Sequence, residues 1–324
     1  MEERTMGCLP SPMDRRDYHV SFFYPVETIH TANFQPKDLI KAEFQGGVGA
    51  CVAFGQELQT AYHELKERGV LERFDQNYLY GYRKPEHHQG EGMYPREAYE
   101  TSHLWGIAPK GLLPYTSPRP YFILKDLKIS PEVHSAAVFQ RIRSYFQVSN
   151  NVQEIKTALE HGAVGITIPV YDSFMNCPAS GILPMPNVSS ENLQGYHFIV
   201  IIGWVKIGYQ EYWIVQNSWS RWGDSKMYAY SMGYMPLNYP MYERWGVIDE
   251  ELPPIKRKGV KIEMWIDNPI AKVNGTDYQI DPADANVVPI IVGSRARLPI
   301  RFIGDAFECK TEWKESEKKV TIWK

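Results

Sequence analysis

The chain lacks most of the features that mark membrane proteins, nucleic-acid binders and nucleotide-binding enzymes. Its apolar runs, such as residues 198–205, are far too short to cross a bilayer. Acidic and basic side chains are interspersed and the formal net charge is −3, so charge gives no reason to expect a nucleic-acid partner. There is no phosphate-binding loop, internal repeat or low-complexity tract. The composition indicates a globular chain of about two domains.

Cysteine is also scarce, and the four cysteines are too widely spread to form a metal site. We therefore expect neither a metal nor another cofactor. If one cysteine is catalytic, the remaining three cannot all pair, so reduced thiols are the simplest interpretation. A bridge between Cys8 and Cys177 remains open at this stage.

Cys51 has the most informative surroundings in the chain. Small residues join Gln45 to Cys51, and the residues after Cys51 repeat their apolar positions at helical spacing. Cys51 is therefore predicted to lie in the first turn of a helix, where unpaired backbone N–H groups favour the nucleophilic thiolate and can receive an oxyanion. The alternative is a buried cysteine that acts as a small hydrophobic residue.

A base and a group to orient it follow in two apolar segments. His197 stands at the head of the first segment, and the second ends in Asn217, Ser218 and Trp219. The polar connection between the segments predicts a β-hairpin, which would bring His197 and Asn217 together. The Asn217 amide could then fix the tautomer of the imidazole, and Trp219 could cover the contact.

These three blocks, in this order, resemble the papain-like (C1) cysteine peptidases, particularly their bacterial members. His197 follows Cys51 by 197 − 51 = 146 residues, within the range of about 130–150 typical of that family. The resemblance implies an α+β, two-lobed fold with a helical left lobe and a β-barrel-like right lobe. It assigns Cys51, His197, Asn217 and Gln45 as nucleophile, base, orienting group and oxyanion donor, and it implies a polypeptide substrate. It also implies substrate-binding roles for Gly92, Met93, Tyr94, Tyr196 and Trp219.

The chain departs from the family pattern around this site. Val48 stands where many members have a disulfide cysteine, and Val52 replaces a common tryptophan. Phe198 replaces a small residue and is expected to narrow the cleft. Met93 stands where a second glycine is usual, which puts backbone pairing with a substrate in question. No catalytic atom is lost, so hydrolysis is favoured over a non-catalytic scaffold role or an acyl transfer to an amine (transamidation).

A second domain is predicted after a linker rich in proline and basic residues. We place the peptidase domain at residues 1–252, the linker at 253–259 and the second domain at 260–324. Short strands, a helix near residues 299–307 and a final hairpin resemble the stalk domain at the N-terminus of some copper amine oxidases. Residues 260–324 contain no histidine, so we expect a small α+β domain without metal that serves spacing or attachment, at the cell surface or within an assembly.

The compartment stays open in the sequence. The first eight residues contain no apolar signal core, which favours the cytoplasm, whereas a stalk-like domain favours an extracellular or cell-surface location. Because only these residues precede the segment that resembles a mature N-terminus, we expect no inhibitory pro-segment of the usual kind. The substrate preference and the choice between endo- and exopeptidase action are not predicted.

Overall fold

The computed structural model divides the chain into two compact units, Met1–Glu250 and Glu251–Lys324. It describes residues 4–14, 17–84, 90–113, 127–249, 262–273, 275–292, 295–307, 309–314 and 319–323. The pair His87 and His88, the linker and the turn residue Asn274 lie outside these ranges.

The described residues of the first unit form α-helices, loops and one antiparallel sheet. The helices are α1 (Val20–Phe23), α2 (Cys51–Arg68), α3 (Gln76–Gly81), α4 (Pro95–Leu104), α5 (Pro131–Val138), α6 (Val152–His161) and α7 (Asp172–Met175). The strands are β1 (Ser144–Gln147), β2 (Val164–Tyr171), β3 (Leu193–Ile207), β4 (Gln210–Gln216), β5 (Met232–Pro236) and β6 (Glu243–Ile248). A short 3-10 helix, Tyr228–Tyr230, precedes β5.

Helix α2 is the central helix of this unit, and it begins at Cys51 as predicted. It is buried on nearly every side along its first fourteen residues and ends at Gly69, which adopts φ +66°. Burial on all sides forces its polar side chains to find partners. Gln59, for example, donates to the carbonyls of Ala163 and Trp245 at 2.7 and 2.9 Å. These hydrogen bonds hold helix α2 against the sheet.

The sheet has the strand order β1-β6-β2-β3-β4-β5, and every pair is antiparallel. Strands β3 and β4 form the predicted hairpin, joined at Ile207 and Gln210. Alternation along β3 turns Phe198 to the face opposite His197. There its ring lies 2.4 Å from where a Cβ would stand on Gly55 and on Gly165. The expectation that Phe198 narrows the cleft is therefore wrong, because two glycines make room for it in the core.

The second unit is built of short strands and one helix. Its elements are β7 (Ile262–Met264), β8 (Ile270–Val273), β9 (Thr276–Gln279), β10 (Ile290–Val292), β11 (Arg295–Arg297), α8 (Ile300–Ala306), β12 (Lys310–Lys314) and β13 (Lys319–Trp323). Strands β7, β8 and β9 form one sheet, and the remaining strands form two hairpins. The α+β character and the final hairpin agree with the prediction, whereas β8 and β11 were not predicted.

Candidate active site

His197 and Asn217 meet where β3 begins and β4 ends. The Nε2 atom of His197 lies 2.6 Å from Oδ1 of Asn217, which also accepts the backbone N–H of Ser218 at 2.7 Å. Because the amide oxygen accepts, Nε2 carries the hydrogen and the lone pair of the neutral ring lies on Nδ1. Nδ1 is buried and has no hydrogen-bond partner among the described residues.

Trp219 covers this pair. Its ring stacks on that of His197 with centroids 4.3 Å apart and planes 26° apart, and Phe174 packs edge-on against both rings. His197 is fully buried as a result. Burial lowers the pKa of His197 to about 4, while the bond to Asn217 acts in the opposite direction.

Cys51 is the first residue of α2 and its side chain is also fully buried. The backbone N–H groups of Phe198, Gly7 and Val52, together with its own, act to lower the pKa of the thiol. Burial nevertheless dominates and raises the pKa of Cys51 to about 11. The expected preference for a thiolate is therefore wrong for this form of the molecule, in which desolvation outweighs the helix N-terminus.

Gln45 lies in the loop before Cys51 and is held by a hydrogen-bond network. Its Oε1 accepts the Ser218 hydroxyl at 2.5 Å, and its backbone N–H donates to the Ser218 carbonyl at 3.0 Å. Its Nε2 donates to the carbonyls of Val48 at 2.9 Å and Thr5 at 3.1 Å. The Ser218 contact links the cysteine loop directly to the Asn217 segment.

The expected substrate-binding residues lie on both walls of the cleft. Gly92 adopts φ +110°, which favours glycine, and Met93 follows it with a fully buried side chain. Tyr94 is the N-cap of α4, and the Tyr196 hydroxyl donates to that of Tyr242 at 3.1 Å. Gly92, Met93, Tyr196 and Trp219 all face one further segment, which the sequence analysis missed.

That segment is the N-terminal strap, which we define as residues 4–9. At one end, the Thr5 carbonyl accepts both Gln45 Nε2 and Trp219 Nε1 at 3.1 Å, and the Arg4 guanidinium lies 5.9 Å from the Trp219 ring. These contacts place the start of the strap against Gln45 and Trp219.

The other end of the strap pairs with the backbone of Met93. Met93 N–H donates to Gly7 O at 2.8 Å, and Leu9 N–H donates to Met93 O at 3.0 Å, in a parallel bridge. Cys8 N–H donates to Tyr196 O at 3.3 Å, and the Cys8 sulfur lies 3.2 Å from the Thr167 hydroxyl. Met93 therefore pairs with an extended chain despite replacing a glycine.

The strap, for which no role was expected, contacts Gln45, Met93, Tyr196 and Trp219. Nothing in its composition signalled this, since its contacts join residues 40 to 217 positions apart. All four cysteines are free thiols, so the Cys8–Cys177 bridge is not formed. Among the described residues, no group of His, Cys, Asp or Glu could hold a metal ion, and no helix has both the length and the apolar character to span a membrane.

Comparison with known proteins agrees with this geometry. The family model described as papain family cysteine protease matches residues 34–236, more than half of the chain. A second model, the copper amine oxidase N-terminal domain, matches residues 254–322. Cysteine proteinase 1 of Entamoeba histolytica is 25% identical over 186 residues, which cover 56% of this chain and 56% of that protein. The chain thus matches only about half the length of its curated relative.

Solved structures show the same fold. Xylellain, a cysteine protease from Xylella fastidiosa, has a TM-score of 0.65 at 17% identity, covering 78% of this chain and 98% of that one. Bromelain protease from Ananas comosus has a TM-score of 0.53 at 19% identity, covering 68% of this chain and 100% of that one.

Proposed function

Because the chain belongs to the papain family of cysteine proteases, we propose that it hydrolyses peptide bonds through Cys51, His197 and Asn217, with Gln45 as oxyanion donor. One observation carries the proposal. Asn217 holds His197 through Nε2, and this leaves the buried Nδ1 unpaired. The Cys51 sulfur meets the backbone N–H of Phe198, the residue next to His197. Nδ1 is therefore the atom available to take the thiol proton.

The reaction then proceeds by acyl transfer. Cys51 gives its proton to Nδ1 of His197, and the thiolate attacks the substrate carbonyl carbon. The Gln45 amide and the Cys51 backbone N–H stabilise the oxyanion. His197 returns the proton to the leaving amine, which departs and leaves a thioester. Water, deprotonated by His197, attacks the thioester, and proton return to the sulfur regenerates the enzyme.

We propose that substrate binding requires the strap to leave. The strap contacts Gln45 and Trp219 with its start and Met93 with its end. A substrate whose residues before the cleaved bond lie along Met93 would run from Met93 towards Trp219, in the opposite direction. The strap therefore covers the nucleophile without presenting its own peptide bond in the orientation of a substrate.

We further propose that residues 260–324 form a separate spacing or attachment domain, with residues 1–252 as the peptidase domain and 253–259 as the linker. The match of residues 254–322 to the copper amine oxidase N-terminal domain supports this division. It does not choose between a cytoplasmic and a cell-surface location.

The test compares two cysteine variants on casein, with Cys177 as the matched control because it is a free thiol outside the constellation. We expect Cys51→Ala to abolish hydrolysis and Cys177→Ala to retain it. Casein cleavage by Cys51→Ala at the parental rate would reject the proposal. Added primary amines test the alternative of transamidation, since amide products would appear in place of free acids. A wild-type protein that binds peptides but never cleaves them would favour the scaffold alternative.

A further inference from the structure

A side chain of the loop that carries Met93 forms a hydrogen bond with the loop that carries Cys51. Oε2 of Glu91 accepts the backbone N–H of Gly49 at 2.7 Å. Gly49 is buried and lies two residues before Cys51, whereas Glu91 lies two residues before Met93. A bond of this length between a carboxylate and an N–H group is among the stronger hydrogen bonds in proteins.

The Glu91 end of this contact is held from behind. Arg83 is almost fully buried, and its Nη1 donates to the carbonyls of Gly90 and Gly92 at 3.1 and 2.7 Å. The Tyr80 hydroxyl accepts the N–H of Gly92 at 2.9 Å, and the Arg83 guanidinium lies 3.8 Å from the Tyr80 ring centroid. Both residues flanking Glu91 are therefore anchored, so its carboxylate projects from a fixed backbone.

Gly49 lies so close to Glu91 that a larger residue at position 49 would require a shift. A Cβ on Gly49 would stand 2.8 Å from Glu91 Oε2 and 3.0 Å from Glu91 Cβ. The two loops thus approach as closely as their backbones and the Glu91 side chain allow. No covalent tie is present here, because the family's disulfide cysteine is replaced by Val48 and every cysteine is a free thiol.

We propose that Glu91 is a positioning residue that fixes the Gly49–Cys51 backbone against the substrate-binding segment. It does so by accepting the Gly49 N–H, and thereby sets the direction of the Cys51 N–H that faces the oxyanion. This inference rests on the proposed function. Because small misplacements of reacting groups are costly in rate, loss of the acceptor reduces turnover more than it reduces binding.

The experiment measures kcat and KM separately on a library-selected peptide that the wild-type chain cleaves. Glu91→Ala removes the acceptor, Glu91→Gln keeps an oxygen in its place, and Glu100→Ala is the control. Glu100 pairs with Lys84 at 3.1 Å on α4 and is half-exposed, so its loss tests a carboxylate of the same wall without contact to Gly49. We expect Glu91→Ala to lower kcat about tenfold with KM within about twofold. We expect Glu91→Gln to recover most of this loss and Glu100→Ala to show none.

Gly49→Ala provides a second variant, since its methyl group displaces the Glu91 carboxylate while leaving that residue present. It should lower kcat as Glu91→Ala does, and the two changes together should lower it no further. Three results would overturn the inference: equal kcat in Glu91→Ala and Glu100→Ala, no recovery in Glu91→Gln, or a fall in kcat matched by a fall in thermal midpoint. If the wild type shows no Cys51-dependent hydrolysis, the proposed function fails instead. The inference is then read from iodoacetamide alkylation of Cys51, whose pH midpoint should rise in Glu91→Ala and stay unchanged in Glu100→Ala.

Discussion

The two units of the chain handle polar and apolar side chains in opposite ways. The first unit buries polar groups around the cleft and pairs them, as the contacts of Gln45 and Asn217 show. In the described part of the second unit, the buried residues are few, namely Ala271, Ile280, Pro289 and Gly304. Its exposed apolar residues are Trp265, Ile266, Ile270, Tyr278, Ile290, Ile291, Val292, Leu298, Ile300 and Phe307. Oriented, desolvated polar groups are what catalysis requires, and the residues of the candidate site lie in the first unit.

Among the predicted effects, the largest loss of kcat is expected from replacing Gln45, the proposed oxyanion donor of the first unit. Gln45→Ala removes the Nε2–H group, and loss of one such donor typically raises the barrier by about 2.7–4 kcal/mol. We therefore expect kcat to fall by two to three orders of magnitude with KM little changed, measured on a cleaved peptide. Gln59→Ala is the matched control, because Gln59 is a buried amide whose Nε2 donates to the carbonyls of Ala163 and Trp245 and not to the strap or the cysteine loop. An unchanged kcat in Gln45→Ala would place the oxyanion elsewhere.

The next effect concerns the response of the strap to pH. Burial beneath Trp219 lowers the pKa of His197 to about 4 in the closed form, in which the Thr5 carbonyl of the strap accepts the Trp219 indole N–H at 3.1 Å. A lowered pKa means that the closed form keeps its full stability above about pH 6.5 and loses it as the pH falls towards 4. Between pH 7 and pH 5, the open population should therefore rise by up to about twentyfold if His197 regains an ordinary pKa in the open form.

Hydrogen exchange of the Cys8 and Leu9 amides, corrected for intrinsic rates, measures this opening. Both amides donate to the cleft walls in the closed form, at 3.3 and 3.0 Å. The amide of Phe34, which donates to Trp204 O at 2.9 Å, serves as an internal control remote from His197. Equal protection of the strap at both pH values would contradict the assigned role of His197 burial.

A smaller effect is expected from a steric wedge in the strap. A Cβ on Gly7 would stand 1.8 Å from the Gly49 carbonyl oxygen, so Gly7→Ala cannot keep the closed position. Overpacking by one methyl group commonly costs about 1–3 kcal/mol, which corresponds to roughly a tenfold or greater shift towards the open form. Because opening exposes Cys51 and lowers its pKa from about 11, alkylation by iodoacetamide at pH 7 should accelerate about tenfold.

Gly90→Ala is the control for this wedge, since a Cβ there meets nothing within 4 Å. Gly7 lies in the strap, whereas Gly90 lies in the loop before Met93, the residue with which the strap pairs. Acceleration in both variants, or in neither, would show that the strap does not limit access to the thiol.

The smallest effect is expected from the second unit. Removing residues 254–324 should leave kcat/KM on a short peptide within about twofold, because the cleft draws its residues from the first unit only. The measurement is peptide hydrolysis by the shortened and full chains at equal concentration. A large loss would break the comparison and show that the second unit contributes to the site.

How far the sequence predicts this structure depends on the range of the interactions. The start of α2 at Cys51 and the hairpin that joins His197 to Asn217 follow from local periodicity, and both are confirmed. The core position of Phe198 was missed because it depends on glycines at 55 and 165, far away in the sequence. The residue pattern around Phe198 does not show the space that Gly55 and Gly165 leave for its ring.

The strap and the protonation state were missed for a related reason. Residues 4–9 carry no periodicity, and their backbone contacts become visible only when the cleft is assembled. The thiolate expected at a helix N-terminus is correct as a local tendency, yet burial of the Cys51 side chain reverses it. The local sequence predicts the candidate catalytic residues, whereas burial in the folded chain decides whether Cys51 and His197 are protonated.

The central claim is that Cys51 becomes a nucleophile through His197 in a cleft that must first open. Intact-mass and peptide mapping after treatment with a peptidyl epoxide, a thiol-directed affinity label, tests it most directly. The wild-type chain should acquire one adduct, on Cys51, and should acquire it faster at pH 5 than at pH 7 because the open population is larger at pH 5. His197→Ala should acquire almost none in the same time. Labelling spread over Cys8, Cys177 and Cys309, or undiminished in His197→Ala, would contradict it.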